Sequence, residues 1–204
     1  MNLHEALIDR VGEHRVRLMQ NPVHPGQQLY VLFLELHVPL TILMTSTLSE
    51  YKMPVTEKWK GREYNEIFFA MPAYWELDDK GNASLQALYD WIFRLEEFVK
   101  EKNTWYGPGH SIPCGNPSTE ISPLLKQDNF IFINPMFLED LFQPLILTDK
   151  VVHLLATVPV FSDELEYKMS KGTHKFVRRF YQKKHDERID EFRHSFMRSR
   201  LRLW

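Results

Sequence analysis

His110 and Cys114 are the residues whose types and spacing come closest to a catalytic pair. They lie four residues apart in the loop YGPGHSIPCGNP. An imidazole can serve as a general acid, a general base or a metal ligand, and a thiol can serve as a nucleophile. Catalytic pairs are normally assembled in space, however, and apart from Cys114 no His, Cys or carboxylate lies nearby at ligand spacing. We interpret His110 as bonding loop backbone and Cys114 as a small packed residue, and keep a hydrolase or metal-dependent enzyme using this loop as an alternative.

Motifs of the common enzyme classes are missing from the sequence. It contains no GxGxxG, P-loop, HExxH, CxxC or GxSxG pattern. Each of these sets a phosphate cradle, a metal-ligand set or an activated nucleophile at fixed spacing. We therefore predict no catalytic residue, no metal site and no cofactor, and the residues favour binding over catalysis.

Trp105 and Tyr106 directly precede the glycines of the loop that carries His110. Exposed Trp and Tyr side chains contribute much of the energy at protein interfaces, whereas buried ones anchor cores. The sequence leaves both roles open for this pair. The surrounding stretch, residues 103–122, is rich in Gly and Pro and long for a compact domain, and such loops are often functional.

Charge is unevenly distributed along the chain. Residues 174–204 hold ten Lys or Arg against four Asp or Glu, and the rest of the chain carries a net charge of −8. A basic segment can contact nucleic acid or an acidic protein, but interspersed acids allow i,i+3 and i,i+4 pairing on a solvated helix. Glu96, Glu97 and Glu101 likewise suggest a solvated helix face. Nucleic-acid binding is kept as an alternative for these basic residues: Lys183, Lys184, Arg188, Arg193, Arg198, Arg200 and Arg202.

Composition points to a cytoplasmic globular protein. Of 204 residues, 44% are apolar and 25% charged, and the net charge of −2 disfavours nucleic acid as the main partner. One cysteine excludes an internal disulfide, which fits a reducing compartment. The N-terminal sequence MNLHEALIDR has no apolar core of a signal peptide, and the longest apolar stretches fall short of the roughly 20 residues that span a bilayer.

Periodicity predicts the elements that must position these residues. A long apolar run at 151–160 suggests a central strand buried on both faces. The helix at 85–102 has an apolar stripe, widened by Trp91 and Phe98, whose members step by three or four residues: Leu85, Leu88, Ile92, Leu95 and Val99. Ile189, Phe192 and Phe196 suggest a further amphipathic segment near the C-terminus. Helices are predicted at 3–19, 85–102, 162–171 and about 175–184, and strands at 28–36, 37–46, 63–70, 130–133 and 151–160.

This order of elements is not a regular βαβ alternation. It predicts an α+β fold in which a mixed, largely antiparallel β-sheet is covered by helices. Because a single core can grow to roughly 250–300 residues, we predict one domain over residues 1–204. Its last part, about 174–204, is expected to be a basic helical segment.

Four segments, taken in order, resemble the Suppressor of Fused family. TSTLSEYKMPV (45–55) and EIFFAMPAYWEL (66–77) are similar to two of its strand-and-turn elements. NTWYGPGHSIP (103–113) is similar to its T-W-x-x-x-G-H-T-I-P loop, and VVHLLATVPVFSDELEYKMSKG (151–172) to its following strand and helix. The resemblance runs from about residue 32 to 180 and implies a mixed sheet with helices on its faces.

The family resemblance also carries functional expectations. Animal members sequester Gli-type transcription factors and have a second domain, whereas short bacterial members are associated with toxin–immunity loci. In animal members an acidic residue precedes the loop histidine and helps to hold the Gli peptide. Gly109 occupies that position here, so the resemblance implies no Gli-like site. We expect a non-catalytic protein-binding domain, an immunity protein for a toxin, with partner-binding residues Trp105, Tyr106, Gly109 and His110. The net charge of −8 before His174 would suit a basic toxin.

Overall fold

The structure is a computed structural model and describes residues 1–197. Within that range it contains four α-helices and eight strands. The helices are α1 (Leu3–Val11), α2 (Ala83–Glu101), α3 (Ser162–Lys171) and α4 (Thr173–Gln182). The strands are β1 (Val16–Gln20), β2 (Gln28–Leu34), β3 (Leu40–Thr45), β4 (Asn65–Pro72), β5 (Ser111–Pro113), β6 (Asn129–Ile133), β7 (Leu145–Ile146) and β8 (Val151–Val160).

The strands form a mixed sheet in the order β1-β2-β3-β4-β8-β6-β5, and β7 pairs with β8 off this path. Neighbours are antiparallel except β4 and β8, which run parallel. The predicted α+β class with a largely antiparallel sheet is therefore confirmed. The apolar run 151–160 is β8, and it lies between β4 and β6, as predicted for a central strand.

The sheet buries both of its faces. Side chains alternate along β4, so Ile67 and Phe69 join the cluster that contains α2. Phe68 and Ala70 point to the opposite face and join the cluster that contains residues of α1 and α4. Because helices cover both sides, the central strands are continuous apolar runs rather than alternating ones.

Helix α2 follows the predicted apolar stripe closely. The Asn82 side chain accepts a hydrogen bond from the Leu85 amide at 3.0 Å and so caps the helix N-terminus. The predicted core-facing residues are all buried: Leu85, Leu88, Ile92, Leu95 and Val99. This stripe fixes which side of α2 faces the sheet and which side remains available for contact.

The N-terminal helix predicted over residues 3–19 is wrong beyond Val11. Gly12 takes a φ of +97°, and its amide donates to the Ile8 carbonyl at 2.8 Å, which ends the helix. Residues 16–20 then pair with β2 as an antiparallel strand. Leu18 fits both periodicities, and pairing with β2 decides in favour of a strand.

The predicted helical C-terminal segment is helical only as far as Gln182. Lys184 has a φ of +62°, and residues 183–197 contain no helix. Of the predicted apolar stripe, Ile189 and Phe196 are buried whereas Phe192 is exposed. The remainder of the predicted segment, 198–204, lies outside the described residues.

Residues 183–197 form what we call the C-terminal strap. Its Glu187 is fully buried, and the carboxylate accepts hydrogen bonds from the three amides of residues 136–138 at 2.8–3.1 Å. Burial raises the pKa of Glu187, and the Phe137 and Leu138 amides oppose the rise. The Ile189 amide donates to the Ala70 carbonyl of β4 at 2.8 Å. The strap therefore ties two distant parts of the chain together.

Arg193 anchors the other end of the strap. Its guanidinium donates to both carboxylate oxygens of Glu164 on α3, at 2.6 and 2.9 Å, and to the Pro159 carbonyl at 2.9 Å. The rings of Phe161 and Phe180 lie 5.0 and 5.2 Å from the guanidinium carbon. Arg193 is 8% exposed, so this basic residue is a core anchor and not a surface charge.

Candidate partner-binding groove

Tyr106 fixes the loop between α2 and β5 to the core. Its side chain is 2% exposed, its hydroxyl donates to the Leu95 carbonyl of α2 at 2.7 Å, and its ring stacks on Phe132 with centroids 4.1 Å apart. The Asn65 amide side chain donates to the Tyr106 carbonyl at 3.1 Å. Tyr106 is thus a core anchor with little exposed surface of its own.

Gly109 lies where this loop meets the start of α4. Its φ is +94°, and its amide donates to the Phe132 carbonyl at 2.7 Å. A Cβ atom here would come within 2.8 Å of Thr173 Cγ2, and closer still to the Thr173 hydroxyl. Both the backbone angle and the close approach favour glycine, so an acidic side chain would not fit without movement of the loop.

The His110 side chain braces the loop by bonding to the loop backbone. Its Nδ1 lies 3.1 Å from the Trp105 carbonyl, which makes Nδ1–H the donor and leaves Nε2 unprotonated in the neutral ring. The Trp105 ring meets the imidazole edge-on at 4.3 Å and lies 5.7 Å from the Trp59 ring. Trp105 is half-buried, so it both supports the histidine and presents a face outward.

The arrangement gives the hydrolase and metal-enzyme alternative no support. Within residues 1–197, the side chain of His110 has no carboxylate or thiol hydrogen-bond partner, and Cys114 is buried. Burial raises the pKa of the Cys114 thiol, and the nearby Asp128 charge adds to the rise, which disfavours the nucleophilic thiolate. No group of three or more His, Cys, Asp or Glu side chains in this range could hold a metal ion.

β5 forms one edge of the sheet and leaves part of its backbone unpaired. The Phe132 amide donates to the His110 carbonyl at 2.9 Å, which sets the register with β6. Ile112 therefore faces Phe130 as a hydrogen-bonded pair, and Ser111 lies in the intervening position, where backbone groups turn away from the partner strand. No further strand of the described chain lies beyond β5, so the Ser111 amide and carbonyl face an open side.

A groove runs along this open edge. We call it the edge groove, and it has a volume of about 700 Å³. Trp91 and Phe98 of α2 form one wall, with Phe98 40% exposed. Lys168 of α3 lies on the other side, and Trp105 and His110 line the groove between them. An unpaired strand edge beside exposed aromatic rings is the geometry that binds an extended peptide.

The predicted partner-binding residues come together at this groove. Trp105, Tyr106, Gly109 and His110 all line it, although Tyr106 is largely turned inward. Sequence reasoning missed Ser111, whose importance depends on the order of strands in the sheet. It also missed Phe98 as an exposed residue, because the same apolar periodicity that defines the buried stripe of α2 includes its position.

Two buried carboxylates near the β3–β4 region were also missed. Glu96, predicted to be solvated, is 2% exposed and accepts hydrogen bonds from Gln27 at 2.6 Å and Thr47 at 2.7 Å. Glu66 is fully buried and accepts from the Thr45 hydroxyl and, at 2.9 Å, from the Ser49 amide. Burial raises the pKa of Glu66 to about 7 despite these donors. Both carboxylates hold the TSTLS turn against the sheet.

The basic C-terminal residues also differ from expectation. Arg188 pairs with Asp186 at 2.7 Å and stacks on Phe137, with the guanidinium carbon 4.3 Å from the ring centre. Arg193 is buried against Glu164. Arg193 is therefore absent from the open surface, and the charge of the half-buried Arg188 is paired. The nucleic-acid alternative gains no support, and Arg198, Arg200 and Arg202 lie outside the described residues. No helix of residues 1–197 is both long and apolar enough to cross a membrane.

Solved structures with the same architecture define the class of fold. A suppressor of fused homolog from Neisseria gonorrhoeae superposes with a TM-score of 0.66 at 11% identity, covering 96% of this chain and 94% of that chain. A chain of the Sufu-Fu complex gives 0.56 at 12% identity and coverages of 88% and 81%. Drosophila Suppressor of Fused gives 0.54 at 14% identity, where 75% of this chain matches 38% of that one. The fold is that of suppressor of fused proteins.

The family itself follows from the sequence. The profile of the suppressor of fused protein (SUFU) family matches residues 27–193, which is most of the chain. This protein therefore belongs to the suppressor of fused family, and the resemblance seen in the four segments is confirmed. No curated protein sequence matches it.

Proposed function

We propose that this chain is a non-catalytic binding domain that accepts an extended segment of a partner protein in the edge groove. The observation that carries the proposal is the open edge of β5, where the Ser111 amide and carbonyl face away from β6. Main-chain hydrogen bonds to such an edge supply affinity, and side chains beside it supply specificity. Phe98 and Trp105 are the aromatic contacts.

The family supports a protein partner in general terms. One chain of similar fold comes from a complex of Sufu with Fu. At 12% identity, this similarity supports only a shared fold. The proposed location of the site therefore rests on the geometry of the edge groove. The single buried cysteine, Cys114, fits a cytoplasmic setting for this binding.

Proline at position 111 tests the proposal directly. The Ser111→Pro change removes an amide that makes no bond to β6, so β5–β6 pairing is retained while an added strand loses its donor. Leu18→Pro is the matched control. Leu18 lies on β1 at the opposite edge, and the Asn21–Gln27 backbone bond places it in a non-hydrogen-bonded position.

The measurement is binding to an array of immobilised extended peptides, with circular dichroism to check folding. We expect the wild-type protein and Leu18→Pro to bind the same peptides and Ser111→Pro to lose them. Equal loss in both variants, or loss only in Leu18→Pro, would show that the edge of β5 is not the site.

The finer proposal is that the partner is a toxin and that this chain neutralises it as an immunity protein. It rests on the resemblance to short bacterial members of the family and on the similarity of fold to the homolog from the bacterium Neisseria gonorrhoeae. Co-expression with the product of the neighbouring gene is the test. Rescue of growth by the wild-type chain, lost in Ser111→Pro and kept in Leu18→Pro, is the expected result. Toxicity that persists with the wild-type chain would remove the immunity role.

A further inference from the structure

The edge groove has two walls of different chemistry. Ile112 packs on the cluster that contains α2, whereas Ser111 pairs with Ile131, which belongs to the opposite cluster. Side chains of an added strand would alternate in the same way, because successive residues point to opposite faces of a sheet. One set would therefore meet the α2 wall and the other set the α3 wall.

The α2 wall is apolar and aromatic. Trp91 and Phe98 line it, and the Arg94 guanidinium stacks over the Trp91 ring at 5.4 Å. The charge of Arg94 is already paired with Asp90 at 2.7 Å. This wall favours apolar or aromatic side chains, which bury area against the two rings.

The α3 wall presents a cation. Lys168 is half-buried, and its ammonium group contacts the Met169 sulfur at 3.8 Å. Within residues 1–197 no carboxylate forms a salt bridge with it, and no acidic residue lines the edge groove. A half-buried ammonium group without an acidic partner gains most from a carboxylate supplied by the bound segment.

We propose that the segment bound in the edge groove alternates apolar and acidic residues, with the apolar side chains against Trp91 and Phe98 and an acidic side chain paired with Lys168. This inference rests on the proposed function and adds the chemistry of the partner. It differs from the expectation drawn from net charge, which favoured a basic partner. The groove has the opposite local sign because the acidic residues of the chain lie elsewhere.

Three synthetic peptides test the alternation. Each is a capped strand of about six residues that alternates tyrosine with glutamate, glutamine or lysine. Binding is followed by the anisotropy of a labelled peptide at low peptide concentration, so that self-association is avoided. We expect the glutamate peptide to bind about tenfold more tightly than the glutamine peptide, as for a charge-assisted bond, and the lysine peptide to bind most weakly.

Reversal of the charge on α3 supplies the control. Lys168→Glu should invert the order of the glutamate and lysine peptides, whereas Lys171→Glu, at an exposed position outside the groove, should leave the order unchanged. If all three peptides bind wild type equally and Ser111→Pro abolishes that binding, the edge groove stands and the acidic preference is wrong. If none of the peptides binds, or if Ser111→Pro still binds them, the edge groove itself is excluded and the inference with it.

Discussion

The C-terminal strap and the edge groove differ in burial, and in each the burial is the opposite of what the residue types suggest. The strap, residues 183–197, is rich in charged residues, yet Glu187 and Arg193 are among its most buried side chains. The edge groove is rich in aromatic residues, yet Phe98 and one face of Trp105 remain available to solvent. In the strap, charged side chains are buried in the folded protein. In the edge groove, aromatic side chains remain exposed.

The cause of the difference is where each region finds its hydrogen-bond partners. In the strap, Glu187 meets amides about fifty residues away and Arg193 meets Glu164, so the polar groups are satisfied internally. In the groove, β5 ends the sheet, and the backbone of Ser111 finds no strand beyond it. A region is closed or open according to whether its backbone and charges are paired, and not according to how polar its sequence is.

Removal of Arg193 should have the largest effect on stability. Arg193→Met keeps the contacts with Phe161 and Phe180 but leaves the Glu164 carboxylate buried without its cation, and breaking a buried pair in this way costs about 3–5 kcal/mol. Urea denaturation measures the free energy of unfolding. The exposed pair Lys126–Glu120 gives the control, since Lys126→Met should cost at most about 1 kcal/mol.

A double variant sharpens this result. Glu164→Gln combined with Arg193→Met removes the uncompensated charge, so the pair should cost less than Arg193→Met alone plus Glu164→Gln alone. If Arg193→Met were no more destabilising than Lys126→Met, the strap would not be held by buried charge, and the contrast with the edge groove would fail.

Glu66 is a buried carboxyl group that forms no salt bridge within residues 1–197. Its contribution to the free energy of unfolding should therefore depend on pH. Burial raises its pKa from 4.5 to about 7, so folding favours the protonated form. The stabilisation is fully present below the unfolded pKa near 4.5 and is lost as the pH rises through about 7. At about 1.36 kcal/mol per pKa unit, the loss is on the order of 3 kcal/mol.

Glu66→Gln isolates this contribution. The amide can still bond Thr45 and Ser49 but cannot ionise, so the stability of the variant relative to wild type should rise between pH 5 and pH 8 by roughly the amount above. Histidine titration is common to both proteins and cancels in the difference. Glu101→Gln, at an exposed position, gives the baseline. A constant difference between Glu66→Gln and wild type across this range would mean that Glu66 is ionised in the folded protein throughout.

The parts of the fold set by local periodicity could be predicted from the sequence. The burial of the α2 stripe and of the apolar run of β8 could be predicted, because both patterns are formed by residues close together in the sequence. Leu18 shows where this reasoning ends, since its spacing suits both a helix and a strand. Pairing with β2 decided the outcome, and pairing is a property of distant residues.

The candidate site could be predicted from the sequence only in part, for the same reason. The loop of Trp105 and His110 could be selected by its glycines and aromatic residues. The open edge at Ser111 depends on the order of strands in the sheet, and β5 is only three residues long, which gives it almost no sequence signal. Lys168 is important because α3 brings it beside that edge, again through contacts between distant parts of the chain.

Substitution of Gly109, in the loop beside the edge groove, should have the smallest effect on stability. Alanine at this position meets two obstacles, a φ of +94° and the side chain of Thr173. Gly61 has a similar φ of +90° but nothing within 4 Å of an added Cβ, so Gly61→Ala measures the backbone cost alone. We expect Gly109→Ala to lower the free energy of unfolding by about 1–3 kcal/mol more than Gly61→Ala, because overpacking is added to strain.

In a Thr173→Ala background that excess should shrink, since the two closest contacts are removed. Equal costs at both glycines would mean that Thr173 does not hold the loop, and the fixed position of His110 beside the edge groove would need another cause.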